Sequence, residues 1–351
     1  MVKNVLRNNK KIYYLCKMLK HVNDKAYIED FLGQENDPLL WKFRTYGDAN
    51  YKKALYVIPE NGNGWGFFAE LRVLLVKLHF ADRYGLVPYL QWGKNFSYSE
   101  TEAVNGTYNA YEYYFNQPFI TSKEEVYASR LVTIAKASHA SFIDAEYKNE
   151  KYDVSEEYLN DMATTYAKYI RLNDTVQKKT RTEIEKLLGD KKTLGVHFRG
   201  TDFHIGFKNH PIEVQLSQEI EQAKKGMEKG FEQIFLATDE IKAINEFEKA
   251  FGDKLVYFED VYRGASNESI AFSNDSRALH KYRLGYEVLR DVLTLAKCQG
   301  LIAGLSNVGN FTRIIKKSYN ENYEYLDIIN NGINKAGIKF SQRNQQMGGL
   351  Q

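Results

Sequence analysis

The residues best suited to chemistry lie in one short run: His197, Arg199, Thr201 and Asp202. An imidazole, a guanidinium, a hydroxyl and a carboxylate placed this closely can grip an anion and handle a proton. Alternate side chains of an extended chain share a face, so His197 and Arg199 address one ligand. A guanidinium so placed holds a diphosphate bidentately and stabilises the charge that grows on it as it leaves. The competing reading is an Arg–Asp pair that pins a loop, with His197 a satisfied core imidazole. His204 follows two residues later.

Chemistry of this kind needs elements that aim the side chains. Residues 193–198, 233–238, 254–258, 300–303 and 323–327 are short apolar or β-prone runs. They alternate with helical stretches at about 212–225, 240–251, 284–298 and 310–319, the pattern of βαβ units on a parallel sheet. Residues 191–330 therefore read as a doubly wound domain, whose ligands sit beyond the carboxyl ends of the strands. The run from His197 ends the first of these strands. Thr238 and Asp239 end the second, Ser306 and Asn307 follow the fourth, and Arg313 lies in the helix after it. Ser306 and Asn307 also suit a plain N-cap. Asp291 stands between Leu289 and Leu293 in an apolar helix, where a carboxylate needs a partner: Arg290, Arg313 or a donor group on a ligand.

The first half starts with a strand over 54–58, a glycine turn with Gly62, Gly64 and Gly66, a helix over 67–84 and a strand over 87–90. Glycines between strand and helix let backbone N–H groups approach an anion, or simply supply positive φ. The spacing is GxGxG, and the next strand ends in Gln91 and Trp92, without the acid that holds a nicotinamide ribose. Residues 95–150 resist assignment. Helices over 155–170 and 174–188 end at Gly189, which sets the boundary between a first domain over 1–190 and the second over 191–330, with a polar tail over 331–351.

Composition narrows the function classes. Across 351 residues, Lys+Arg exceed Asp+Glu by 48 to 45, too even a balance for a dedicated nucleic-acid binder. The two cysteines, Cys16 and Cys298, belong to no disulfide framework or zinc spacing. No DxD, HExxH, Walker A or GxSxG occurs, so no metal site and no resident cofactor is expected. No run approaches the roughly 18 apolar residues of a membrane span. Residues 1–23 carry Lys3, Arg7, Lys10, Lys11, Lys17 and Lys20 without an acid, interleaved with apolar side chains, and the basic segment extends over 1–30. Such a segment suits either an anionic membrane surface or its own domain. The expected setting is the cytoplasm, with peripheral contact to an inner membrane if the first of these holds.

Several motifs together carry a resemblance. The run from Gly195 to Asp202 resembles the first motif of the inverting fucosyltransferases that include core α-1,6-, nodulation and protein O-fucosyltransferases. His210-Pro211-Ile212-Glu213 continues it, Phe235 to Asp239 resembles the second motif, and Val288 to Arg313 the third. The turn from Gly64 to Leu71 is similar to the family's first-domain glycine turn. The resemblance implies a GT-B type α/β fold, two Rossmann-like domains with a cleft between them. It also implies metal-independent, inverting transfer of L-fucose from GDP-fucose to a glycan hydroxyl. By matching position, Arg199 would hold the β-phosphate, His197 and Asp291 would read the guanine, and Ser306 would contact the diphosphate. Gly200 and Phe203 stand where core-type members have Arg and Lys, and the family's catalytic glutamate would fall near Gly206 or Phe207. The candidate bases are then Asp202, His204, Glu70 and Glu60, with His204 favoured. The alternatives are a GT-B transferase using another nucleotide sugar and a noncatalytic nucleotide or sugar binder.

Overall fold

A computed structural model describes residues 41–338, apart from 63–64, 120–121, 151 and 265–268, with a few isolated positions before residue 41. Gly64, most of the basic segment over 1–30 and the tail beyond 338 lie outside the described residues.

Buried apolar runs make the strands, and two all-parallel sheets result. In the first, β1 (Leu55–Pro59) lies between β2 (Val87–Gln91) and β3 (Val132–Ile134). The helix α1 (Phe67–Arg83) crosses from β1 to β2, the single turn α2 (Lys123–Val126) precedes β3, and α3 (Ala137–Asp144) follows it. β3 and α3 sit in the stretch where the sequence shows no pattern. A strand of three residues has no room for periodicity, and its neighbours are tyrosine-rich loops.

Helices α4 (Glu156–Tyr169) and α5 (Asp174–Leu188) connect the units. Ser155 and Asn173 cap them, accepting the amides of Tyr158 and Val176 at 3.2 and 2.9 Å. The second sheet follows with β4 (Thr193–Phe198), α6 (Leu216–Met227), β5 (Gln233–Thr238), α7 (Ile241–Phe251) and β6 (Leu255–Val256). It is completed by α8 (His280–Lys297), β7 (Gly300–Gly304), α9 (Asn307–Ser318) and β8 (Tyr325–Ile329). Its strand order is β6-β5-β4-β7-β8, so the winding reverses between β4 and β7. That reversal opens a crevice beyond the carboxyl ends of those two strands. Two parallel α/β units facing a common cleft are the architecture expected of a GT-B type fold.

One apolar core runs through both units. Phe311 of α9 meets Phe68 of α1 (ring centroids 5.1 Å) and Tyr166 of α4 (5.8 Å). On the other side, Glu183 of α5 accepts from Arg290 (2.8 Å) and Tyr286 (2.7 Å) of α8. Gly285 lets α8 approach the first unit, because a Cβ there would collide with the Tyr114 hydroxyl, which donates to the Tyr282 carbonyl at 2.9 Å. These contacts fix the two walls of the cleft relative to one another.

Candidate active site

β4 delivers Arg199 one residue past its end, at the reversal of the sheet. Two carboxylates hold the guanidinium: Asp202 accepts from Nη2 at 2.6 Å, and Asp239, at the end of the neighbouring β5, accepts from Nη1. Burial works against the Arg199 charge, but Asp202, Asp239 and the Tyr98 hydroxyl together hold it above the ordinary guanidinium range. Two anchored nitrogens fix the plane of the fork, and a third of the side chain stays exposed (33%) to meet a ligand.

The loop after Arg199 is held just as closely. Asp239 accepts the Gly200 amide (2.9 Å) and the Thr201 hydroxyl (3.0 Å). Thr201 adopts φ +51°, a left-handed conformation that a β-branched residue takes only under constraint. A side chain at 200 would collide with the Glu240 carboxylate, so the second arginine of core-type fucosyltransferases has no room in this loop.

Arg199 looks into a cavity of about 1050 Å³ bounded by both units. Its second-unit wall carries His197, Asp202, Thr238, Asp239 and Asp291. Ser306 and Asn307 add the start of α9, with Ser306 accepting the Gly309 amide at 2.9 Å as its N-cap. The Thr238 hydroxyl accepts the Glu240 amide at 3.2 Å. Gly66 and Phe67 bring the start of α1 to the opposite wall, so two helix N-termini face one space.

Two groups in this wall are buried and unpaired. His197 Nδ1 has no hydrogen-bond partner among the described residues, and burial, with Arg199 nearby, lowers the imidazole pKa to about 4. The ring is neutral at physiological pH. Neither Arg290 nor Arg313 pairs with Asp291. Arg290 goes to Glu183 and Asp260, and Arg313 to Glu156. Burial raises Asp291 to about 7, against the opposing pull of Arg290 and Arg263, and its carboxyl faces the cleft with no hydrogen bond or ion pair among the described residues.

Four sequence candidates do not reach the cleft. Arg313 pairs with Glu156 of α4 instead (2.9 Å): it lies about two turns, roughly 10 Å, along α9 from the cap at Ser306, beyond the cleft wall. Glu70 is buried under the β1–α1 turn, where its Oε1 accepts the Asn61 amide (2.5 Å) and side chain (2.8 Å), while Asn61 accepts from Lys77 (3.1 Å). That network pins the turn, although burial raises Glu70 to about 7. His204, the favoured base, lies between Glu213 (2.5 Å) and Glu240 (3.2 Å). Burial opposes its charge, but the two carboxylates raise its pKa on balance, so it retains its proton more firmly than a free imidazole. Glu60 accepts the Gly93 amide (2.9 Å) and is likewise absent from the cleft wall. Of the four candidate bases, Asp202 alone lines the cleft.

The sequence reading missed Arg72 and Asp144. Arg72, on α1, donates to both Asp144 oxygens at 3.2 Å, and the pair lines the first-unit wall. The signal was present: Arg72 interrupts the apolar helix around Leu71 and Val73, the same anomaly that marked Asp291. Nothing local announced Asp144, at the end of a helix the sequence did not reveal.

Neither a protein-family model nor a curated protein matches the chain. Solved structures do. The NodZ alpha-1,6-fucosyltransferase co-crystallized with GDP matches at 15% identity over 75% of this chain and 92% of that one, with a TM-score of 0.44. The fucosyltransferase NodZ from Bradyrhizobium matches at 14% identity over 75% and 93%, with a TM-score of 0.45. POFUT1 in complex with GDP matches at 11% identity over 78% and 98%, with a TM-score of 0.42. Among the described residues, no three His, Cys, Asp or Glu side chains form a metal-binding group, and no helix is long and apolar enough to cross a membrane.

Proposed function

We propose that the chain is an inverting glycosyltransferase that moves L-fucose from GDP-fucose to a hydroxyl of a glycan acceptor without a resident metal. One observation carries the reading. Arg199, the α9 N-terminus and the unpaired Asp291 carboxyl converge on one cavity between the two units. Arg199 and the first turn of α9 supply positive potential at a diphosphate, and Asp291 supplies an acceptor for the N–H edge of a guanine. The ordered motifs that resemble the inverting fucosyltransferases supply these same residues.

In the proposed reaction the acceptor oxygen attacks the anomeric carbon as the bond to the β-phosphate oxygen breaks, with inversion. The electron pair leaves on GDP, where Arg199 meets the new charge. The acceptor proton passes to a carboxylate, and Asp202 is the candidate because, of the four bases considered, it lines the cleft. On this reading the Arg72–Asp144 pair, which lines the opposite wall, meets the acceptor.

A specific observation favours a second reading, binding without transfer. Phe207, near where the resembled family has its glutamate, is buried and lines the cleft. Calorimetry with GDP and UDP, followed by GDP release from GDP-fucose with a glycan acceptor and with EDTA, tests both. Preference for GDP with EDTA-insensitive release supports the enzyme. GDP binding without release supports the second reading, and no preference for GDP overturns the donor assignment.

A further inference from the structure

A small chamber of about 10 Å³, the size of one water, opens beneath Arg199. His197, Arg199, Phe203 and Ser306 line both it and the main cleft, so it is a side chamber of the donor corner. Glu219 of α6 also lines it. That carboxyl is 1% exposed, and its Oε1 has no hydrogen-bond partner among the described residues. His197, on the same chamber, carries the second unpartnered buried atom, Nδ1. Two orphaned polar atoms on residues around a water-sized chamber are the conditions under which proteins hold an ordered water.

We infer that Glu219 is a positioning residue of the donor corner, acting as a neutral carboxylic acid whose hydrogen bond reaches the bound anion through one water in this chamber. The inference rests on the donor reading above. The charged form is disfavoured by the surroundings. Burial raises the Glu219 pKa well above the carboxylate range, and Asp327 on β8 raises it further. Of the chamber's other groups, His197 is neutral, Arg199 is occupied by Asp202 and Asp239, and Gly304 and Leu305 bring no charge. An ionised Glu219 would repel a diphosphate, whereas an acid proton donates toward it. The contribution is therefore present while Glu219 is protonated and lost as pH rises through its pKa.

Titration calorimetry of GDP from pH 6 to 9 on wild type, Glu219→Gln and Glu219→Leu tests this, with thermal unfolding to confirm that each variant is folded. Glu219→Leu is expected to bind GDP about tenfold more weakly, one hydrogen bond to a charged group. Glu219→Gln, which keeps an N–H donor, should stay within about threefold of wild type and lose its extra fall in affinity at high pH. Equal binding by Glu219→Leu, or equal loss in Glu219→Gln and Glu219→Leu, overturns the inference. Infrared spectroscopy reads the acid independently of donor binding. A protonated-carboxyl band is expected in the wild-type minus Glu219→Gln difference spectrum at pH 7, where the contributions of Asp291 and Glu70 cancel, and its absence there overturns the inference whatever GDP does. If GDP does not bind, the donor reading fails, and inorganic diphosphate replaces GDP in the same three-protein comparison with the same deciding outcomes.

Discussion

Asp239 binds Arg199 through one carboxylate oxygen and the Gly200 amide through the other, at 2.9 Å, so one side chain sets both the fork and the loop that follows it. Arg199 and Asp239 each lie one residue past the ends of adjacent strands, which ties the aim of the guanidinium to the register of β4 against β5. Asp239→Asn keeps the size but replaces one acceptor oxygen with a donor, which must face either a guanidinium or an amide N–H. The expected result is loss of about 1–3 kcal/mol in denaturant unfolding and at least a tenfold loss of GDP affinity by calorimetry.

Arg199→Lys is expected to fare nearly as badly as Arg199→Ala in transfer. An ammonium cannot span Asp202, Asp239 and a phosphate in one plane. Each variant should lower kcat/KM by about a hundredfold or more, the scale of removing a charge-stabilising donor. A Lys variant near wild-type rates would show that charge alone suffices.

On the proposed reading, Asp291 sets stability and binding against each other. Its folded pKa, raised to about 7, lies above its unfolded value, so the folded state binds more protons between roughly pH 4 and 7. Its contribution to stability therefore falls as pH rises through that window. Asp291→Asn removes the buried charge and should raise stability at pH 8 by about 1–2 kcal/mol, while GDP binding weakens because an amide cannot accept two guanine N–H groups equally. Thermal unfolding at pH 5 and pH 8 with GDP calorimetry reads both effects, and equal unfolding of wild type and variant at pH 8 would refute the charge argument.

Arg313→Ala provides a contrast. Its partner Glu156 is 63% exposed and the pair lies off the cleft, so the expected cost is under about 1 kcal/mol with GDP affinity unchanged. A tenfold affinity loss would return Arg313 to the site.

Gly285→Ala tests how the units are clamped. A Cβ would meet the Tyr114 hydroxyl and come within 3.1 Å of the Phe67 ring, in a fully packed core. The expected destabilisation is about 1–3 kcal/mol by denaturant unfolding, partly recovered in the double variant with Tyr114→Phe.

Most elements of the second unit are legible in the sequence. β4 over 193–198 and β5 over 233–238 coincide with their apolar runs, because a strand buried on both faces must be continuously apolar. Local order also places His197, Arg199, Asp202, Thr238, Asp239, Ser306 and Asn307 at strand ends, and a parallel sheet brings strand ends together. The anomaly of Asp291 in an apolar helix is equally a property of the chain.

What depends on distance in the chain was decided only by the fold. His204 and Arg313 have the right chemistry for the site, but Glu240, 36 residues on, and Glu156, 157 residues away, engage them, and Glu70 is turned under its own loop to Asn61, nine residues back. Asp144 reaches the cleft through Arg72, 72 residues away, and Glu219 reaches the small chamber beside Arg199 from a helix whose sequence shows only an amphipathic surface. A residue's type and its place along a strand are local facts that the sequence determines. Which carboxylate is paired, which is buried alone and which faces the cleft depend on long-range packing and on the loss of water that comes with it.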